Sequence, residues 1–133
     1  MKRTIPVLIV LTLTLCFAMA GCRKGVPIIE PSNPSLSSYG NLTRNNVRDA
    51  ILRAGSGIGW QMSEERPGLI IGVWQARQHS ATVEIPYSNK EYAIKYRTST
   101  NLLEGEGTIH QNYNRWVDRL NRNISAELAK IRK

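Results

Sequence analysis

The chain has 133 residues, 41% of them hydrophobic, and carries 18 Lys and Arg against 10 Asp and Glu, a formal net charge of +8. Both cysteines, Cys16 and Cys22, fall in the first 22 residues, so the remainder has no thiol for a disulfide framework or a thiolate metal site. This length leaves room for one modest core, and the charge allows attraction to anionic surfaces without demanding it.

Lys2 and Arg3 precede an almost wholly apolar stretch over residues 5–20. A spanning helix needs about 20 apolar residues, so the stretch is short for one and fits a secretory signal over residues 1–21. It ends in Met19-Ala20-Gly21-Cys22. That string resembles the lipobox of bacterial lipoproteins, which implies that Cys22 is acylated and becomes the first residue of the mature chain. Cys16 would be discarded with the signal. Two of the basic residues would go with it, leaving 16 against 10 acidic ones. The resemblance implies three acyl chains on Cys22. At about 0.8 kcal/mol per buried methylene, release from the membrane would be negligible. Arg23, rather than an Asp, follows the Cys. By resemblance to enteric lipoproteins this favours the outer membrane, with the domain facing the periplasm.

Residues 22–42 lack periodicity and are rich in Pro, Ser and Asn. They read as a flexible tether after the lipidated Cys, with Val26, Ile28 and Ile29 as the residues able to pack on a domain. Extended at about 3.1 Å per residue, such a tether would reach roughly 60 Å. The folded part is then a single α+β domain over residues 43–133.

A first helix is expected over residues 43–54, with Thr43 as N-cap and Val47, Ala50, Ile51 and Ala54 on one face. An antiparallel β-meander of three to four strands follows. Trp60 and Met62 alternate with Gln61 and Ser63, Arg66-Pro67-Gly68 is a turn, and residues 69–78 form a longer, central strand. Ala81, Val83, Ile85 and Tyr87 alternate with polar residues, and Pro86 points to an edge or a bulge. After a short loop at residues 88–90, Tyr92, Ile94 and Tyr96 alternate with Lys95 and Arg97. Ile109, Tyr113, Trp116, Val117, Leu120, Ile124, Leu128 and Ile131 recur at helical spacing and mark a long C-terminal helix. Thr108 with Gln111 has the spacing of a capping box. Both helices are expected on one face of the sheet.

Gly59-Trp60, residues 67–70, 77–85, 92–96, 99–102 and 109–117 together resemble a family of small Gram-negative lipoproteins of unknown function. The resemblance covers most of residues 54–124. It implies a lipid anchor and a compact α+β domain, and no activity.

No catalytic signature stands out. His79 and His110 are the only histidines, both expected at one end of the domain, with Glu104 and Glu106 as further ligands for a shared zinc. Nothing in their spacing supports a metal, and structural roles are favoured. Glu64 and Glu65 are adjacent and would point to opposite sheet faces. Candidate binding residues are Trp74, which alternates with Leu69, Ile71 and Val73 and so is placed on the opposite sheet face, together with Lys95, Arg97, Ser99 and Asn101. Arg115, Arg119 and Arg122 form a basic stripe on the outer face of the last helix, partly neutralised by Asp118.

These features point to a membrane-anchored envelope domain, held through acyl chains on Cys22, that binds an envelope protein or an anionic envelope polymer. No metal, cofactor or nucleic acid is expected. The alternatives are a small periplasmic hydrolase or metal-dependent enzyme, and an accessory of an outer-membrane assembly complex.

Overall fold

The computed structural model describes residues 25–131, so the expected signal and Cys22 lie outside the described residues. The elements are β1 (Val26–Pro27), β2 (Ser32–Asn33), α1 (Arg44–Ser56), β3 (Gln61–Arg66), β4 (Leu69–Ala76), β5 (His79–Pro86), β6 (Tyr92–Ala93), β7 (Lys95–Thr100), β8 (Thr108–Ile109) and α2 (Gln111–Ile131). The fold is α+β, as expected. An antiparallel sheet in the order β3-β4-β5-β7 carries both helices on one face, and two small antiparallel pairs, β1-β8 and β2-β6, flank it.

Helix α1 begins where it was expected. The Thr43 side chain accepts from the Asn46 N–H at 3.1 Å, and the Asn46 side chain accepts from the Thr43 N–H at 2.9 Å. This reciprocal cap satisfies two amides that the helix cannot. Val47, Ala50, Ile51 and Ala54 are all buried, as their spacing requires. On α2 the buried stripe is Tyr113, Val117, Leu120, Ile124 and Leu128. Arg53 of α1 donates to Glu127 of α2 at 3.1 Å and Lys130 lies against the same carboxylate. Lys130 first, and then Arg53, hold Glu127 below the usual carboxylate range. On β4 the inward residues are Ile70, Gly72 and Trp74, packed toward the helices.

Three expectations about the elements are corrected. Residues 25–42 are not a free tether. Val26 and Pro27 pair with Ile109 and Thr108, and Ser32 and Asn33 pair with Ala93 and Tyr92. Leu36 and Leu42 are buried in the core, and Ile28 and Tyr39 pack against it. The Glu30 carboxylate accepts from the Tyr96 N–H at 3.0 Å, blunting the outer edge of β7. The expected last strand is also divided, its first residues pairing with β2 and the rest with β5. Pro86 ends β5 opposite Leu69, beyond the last β5-β7 pair at Glu84, so it stands where one edge of the strand is open, and the β5-β7 irregularity falls at Arg97.

The third correction concerns the start of α2. Thr108 belongs to β8, and its hydroxyl donates to the Gly105 carbonyl at 2.8 Å. The cap is His110, whose Nδ1 accepts from the Asn112 N–H at 3.2 Å. A ring nitrogen that accepts carries no proton, so the cap needs the tautomer protonated on Nε2. Replacing His110 with alanine is expected to cost about 0.5–2 kcal/mol, as for other N-caps, and replacing it with aspartate to restore stability. Urea midpoints of the two variants measure this. Equal losses in both would show that the ring acts by packing rather than by capping.

Candidate functional site

Both histidines converge on one loop, residues 101–107. The His79 Nδ1 meets the Asn101 carbonyl at 2.8 Å, and the Asn101 side-chain amide donates to the Gln78 carbonyl at 2.7 Å. The His110 backbone N–H donates to the Leu102 carbonyl at 2.8 Å, and Gly105 and Thr108 exchange backbone bonds at 3.0 and 2.9 Å. The Ile28 N–H donates to the Gly107 carbonyl at 3.0 Å, which ties the loop to the N-terminal segment. The loop is bolted at both ends and at its middle.

Its backbone is unusual. Asn101, Leu103 and Glu106 all have positive φ, between 52° and 56°, and Gly107 follows at 76°. Asn tolerates this region, whereas a leucine there costs about 1–2 kcal/mol against glycine. Leu102 is buried and anchors the loop, while Leu103 is 68% exposed. Among the described residues the two large apolar side chains open to solvent are Leu103 and Ile29, and both lie close in sequence to the β1-β8 pair. Glu104 and Glu106 follow Leu103 and are exposed. They do not join the histidines, and no group of three metal-ligating side chains forms among the described residues.

The remaining candidates are dispersed over two layers. Trp74 does not face solvent on the open side of the sheet. Its ring lies between those of Trp60 and Trp116, at centroid distances of 5.8 and 5.9 Å, on the face that the helices cover. Both faces of residues 69–73 are apolar, so alternation separates two faces without telling which one is covered. Ser99 also faces inward, with its hydroxyl 3.0 Å from the Tyr96 hydroxyl. Asn101 is spent on the loop. Lys95 and Arg97 do lie on the open face, separated by strand β5 from the half-buried Ile71 and Val73 of β4. Arg97 reaches Glu84 and Glu65, each at 3.6 Å. Arg115, Arg119 and Arg122 are exposed on α2, and Arg122 is paired with Asp118 at 2.6 Å. The helix stripe and the open sheet face therefore sit on opposite sides of the domain.

The adjacent carboxylates part as expected. Glu65 meets Arg97, while Glu64 accepts from the Tyr87 hydroxyl at 2.5 Å and faces Arg48. Burial, and then the bond to Glu64, push the Tyr87 phenol above its ordinary value. The Tyr113 phenol is pushed up by burial, with the Glu30 charge adding to it.

Two open grooves flank the hairpin at residues 87–92, at the opposite end of β5 from the loop of residues 101–107. One, of about 430 Å³, is lined by Pro86, Tyr87, Glu91, Tyr92 and Lys95 and runs onto the open sheet face. The other, of about 510 Å³, lies against Leu36, Asn41 and Lys90. Sequence reasoning had not singled out these grooves, because they form where the N-terminal segment meets the hairpin. At about 3.3 Å per residue, eight-residue β5 separates the two ends by roughly 26 Å. No helix among the described residues is long and apolar enough to cross a membrane. The chain matches no family model, no curated protein and no solved structure.

Proposed function

We propose that this chain is a lipid-anchored domain of the bacterial envelope that works by binding, and that it presents the Lys95 groove and the adjoining sheet face to its partner. The observation that carries this reading is the division of the domain into two ends. Gly25, three residues after Cys22, immediately precedes β1, which pairs with β8 next to the loop of residues 101–107. The Lys95 groove lies at the far end, turned away from any anchor. The partner is an envelope protein or an anionic polymer, for which Lys95 and the uncovered apolar residues Ile71 and Val73 offer contact.

The engagement of the histidines supports binding over hydrolysis. His79 holds the Asn101 carbonyl and His110 caps α2, so each ring has a structural duty. The family resemblance adds the anchor and no activity, and Arg23 after Cys22 favours the outer membrane.

The test is complementation of a deletion strain under envelope stress, with detergent-phase partition of each variant. Wild-type chain is expected to partition into detergent and restore resistance. Cys22→Ala should leave the detergent phase, Lys95→Glu should stay anchored without restoring resistance, and His79→Gln and His110→Asp should both restore it. A folded His79→Gln chain that fails, beside a Lys95→Glu chain that succeeds, would sink the binding reading. Unchanged partition of Cys22→Ala would sink the anchor.

A further inference from the structure

We propose that the loop of residues 101–107 is a membrane-seating element that presses the Leu103 side chain into the surface of a phospholipid bilayer. This rests on the acylation of Cys22. The argument begins with the length of chain between anchor and fold. Three residue steps separate Cys22 from Gly25, and a fully extended chain covers at most about 3.6 Å per step, or roughly 11 Å in all. The headgroup layer of one leaflet is itself about 5–8 Å deep. An acyl chain on Cys22 therefore holds Gly25 at, or only just above, the headgroups. The domain has no free tether on which to stand off.

What meets the bilayer is then decided by where the chain enters. Val26 pairs with Ile109, and continuing that register sets Gly25 opposite His110. The contact is close, since a Cβ on Gly25 would run into the Thr108 side chain. The His110 N–H is bonded to the Leu102 carbonyl, so Leu102 lies across His110 from Gly25 and Leu103 is the next residue of the loop. In that loop lies the most open large apolar side chain among the described residues, at 68%, on a left-handed backbone that glycine would adopt without cost. Strain of this kind persists where surrounding bonds over-determine the backbone and often accompanies a function. Here His79, Asn101, His110 and Ile28 supply the bonds. A strained, exposed leucine held rigidly at the anchored end is accounted for by lipid contact.

Charge of both signs is exposed at this end: Glu104 and Glu106 follow Leu103, and Arg115 is exposed in the second turn of α2. Seating at this end also leaves the Lys95 groove facing outward.

The experiment uses the acylated chain in vesicles of phosphatidylethanolamine and phosphatidylglycerol. Leu103→Cys carries an environment-sensitive thiol dye, and Ala126→Cys is the control, about 15 residues into α2 and about 22 Å along it. Position 103 is expected to show a blue-shifted emission that brominated lipid quenches strongly, and position 126 neither. Both positions are exposed, so neither substitution disturbs the core. If the dye at position 103 is as solvated and unquenched as that at 126, membrane seating is overturned while the anchor stands. Dye uptake mapped to Cys22 of the wild-type chain would show that this thiol is free, and the anchor and the seating would fall together.

Discussion

Replacing Leu36 with alanine is expected to destabilise the domain by about 2–5 kcal/mol, the range for a fully buried leucine. The residue lies in the Pro- and Ser-rich segment whose composition reads as a linker. In a linker the same change would fall within about 0.5 kcal/mol of neutral. In the fold Leu36 is 1% exposed, and its N–H donates to the Lys90 carbonyl at 2.8 Å. It leads into a 3-10 turn, Ser37–Tyr39, that touches α2. Domains of this size have about 5–15 kcal/mol in total, so the loss is a large share. Urea unfolding followed by tryptophan emission should show a lower midpoint with an unchanged slope. A midpoint equal to wild type would mean that residues 25–42 detach in solution. The short stem, and with it the membrane-seating argument, would then fail.

The linker reading failed for a physical reason. Periodicity reports elements long enough to repeat, and β1 and β2 have two residues each. Their stability comes from partners far along the chain, Thr108–Ile109 and Tyr92–Ala93, and from single anchors such as Leu36 and Leu42. Such pairings leave no local pattern. By contrast most of the buried face of α1 and of α2 was legible, because one amphipathic face determines where each helix can lie, although Ile109, read as the first helical residue, belongs to β8. Thr108 shows the two effects in competition. It has the spacing of a capping box, but β1 draws it into a strand and His110 takes the cap.

The candidate site was legible in fragments. His79 and His110 were placed at one end of the domain, and they do meet there, joined through Asn101 and Leu102. Leu103 was passed over, since a leucine in a polar loop carries no signal until its exposure and backbone are known. Trp74 leaves the open-face set because alternation alone had placed it on the uncovered side, while Lys95 and Arg97 stay on it.

Trp74→Ala is accordingly expected to be among the most damaging single changes, at about 3–5 kcal/mol, as for other large aromatic truncations. The ring fills the space between Trp60 and Trp116, and the fold makes room for it at Gly59. That residue has φ of 96°, and a Cβ there would come within 3.0 Å of the Trp74 ring. Trp74→Phe should behave quite differently. The indole Nε1 is buried without a hydrogen-bond partner among the described residues. A donor left so costs about 1–3 kcal/mol, and phenylalanine removes it while keeping most of the aromatic contact. The smaller ring loses some packing, so the two effects nearly offset, and a net change within about 1.5 kcal/mol is expected. Urea midpoints of the pair decide the matter. If alanine costs less than about 1 kcal/mol, the indole is not a core group and the open-face placement returns. If phenylalanine costs as much as alanine, the Nε1 proton has a partner in solution, and the inner aromatic row is a polar site rather than packing alone.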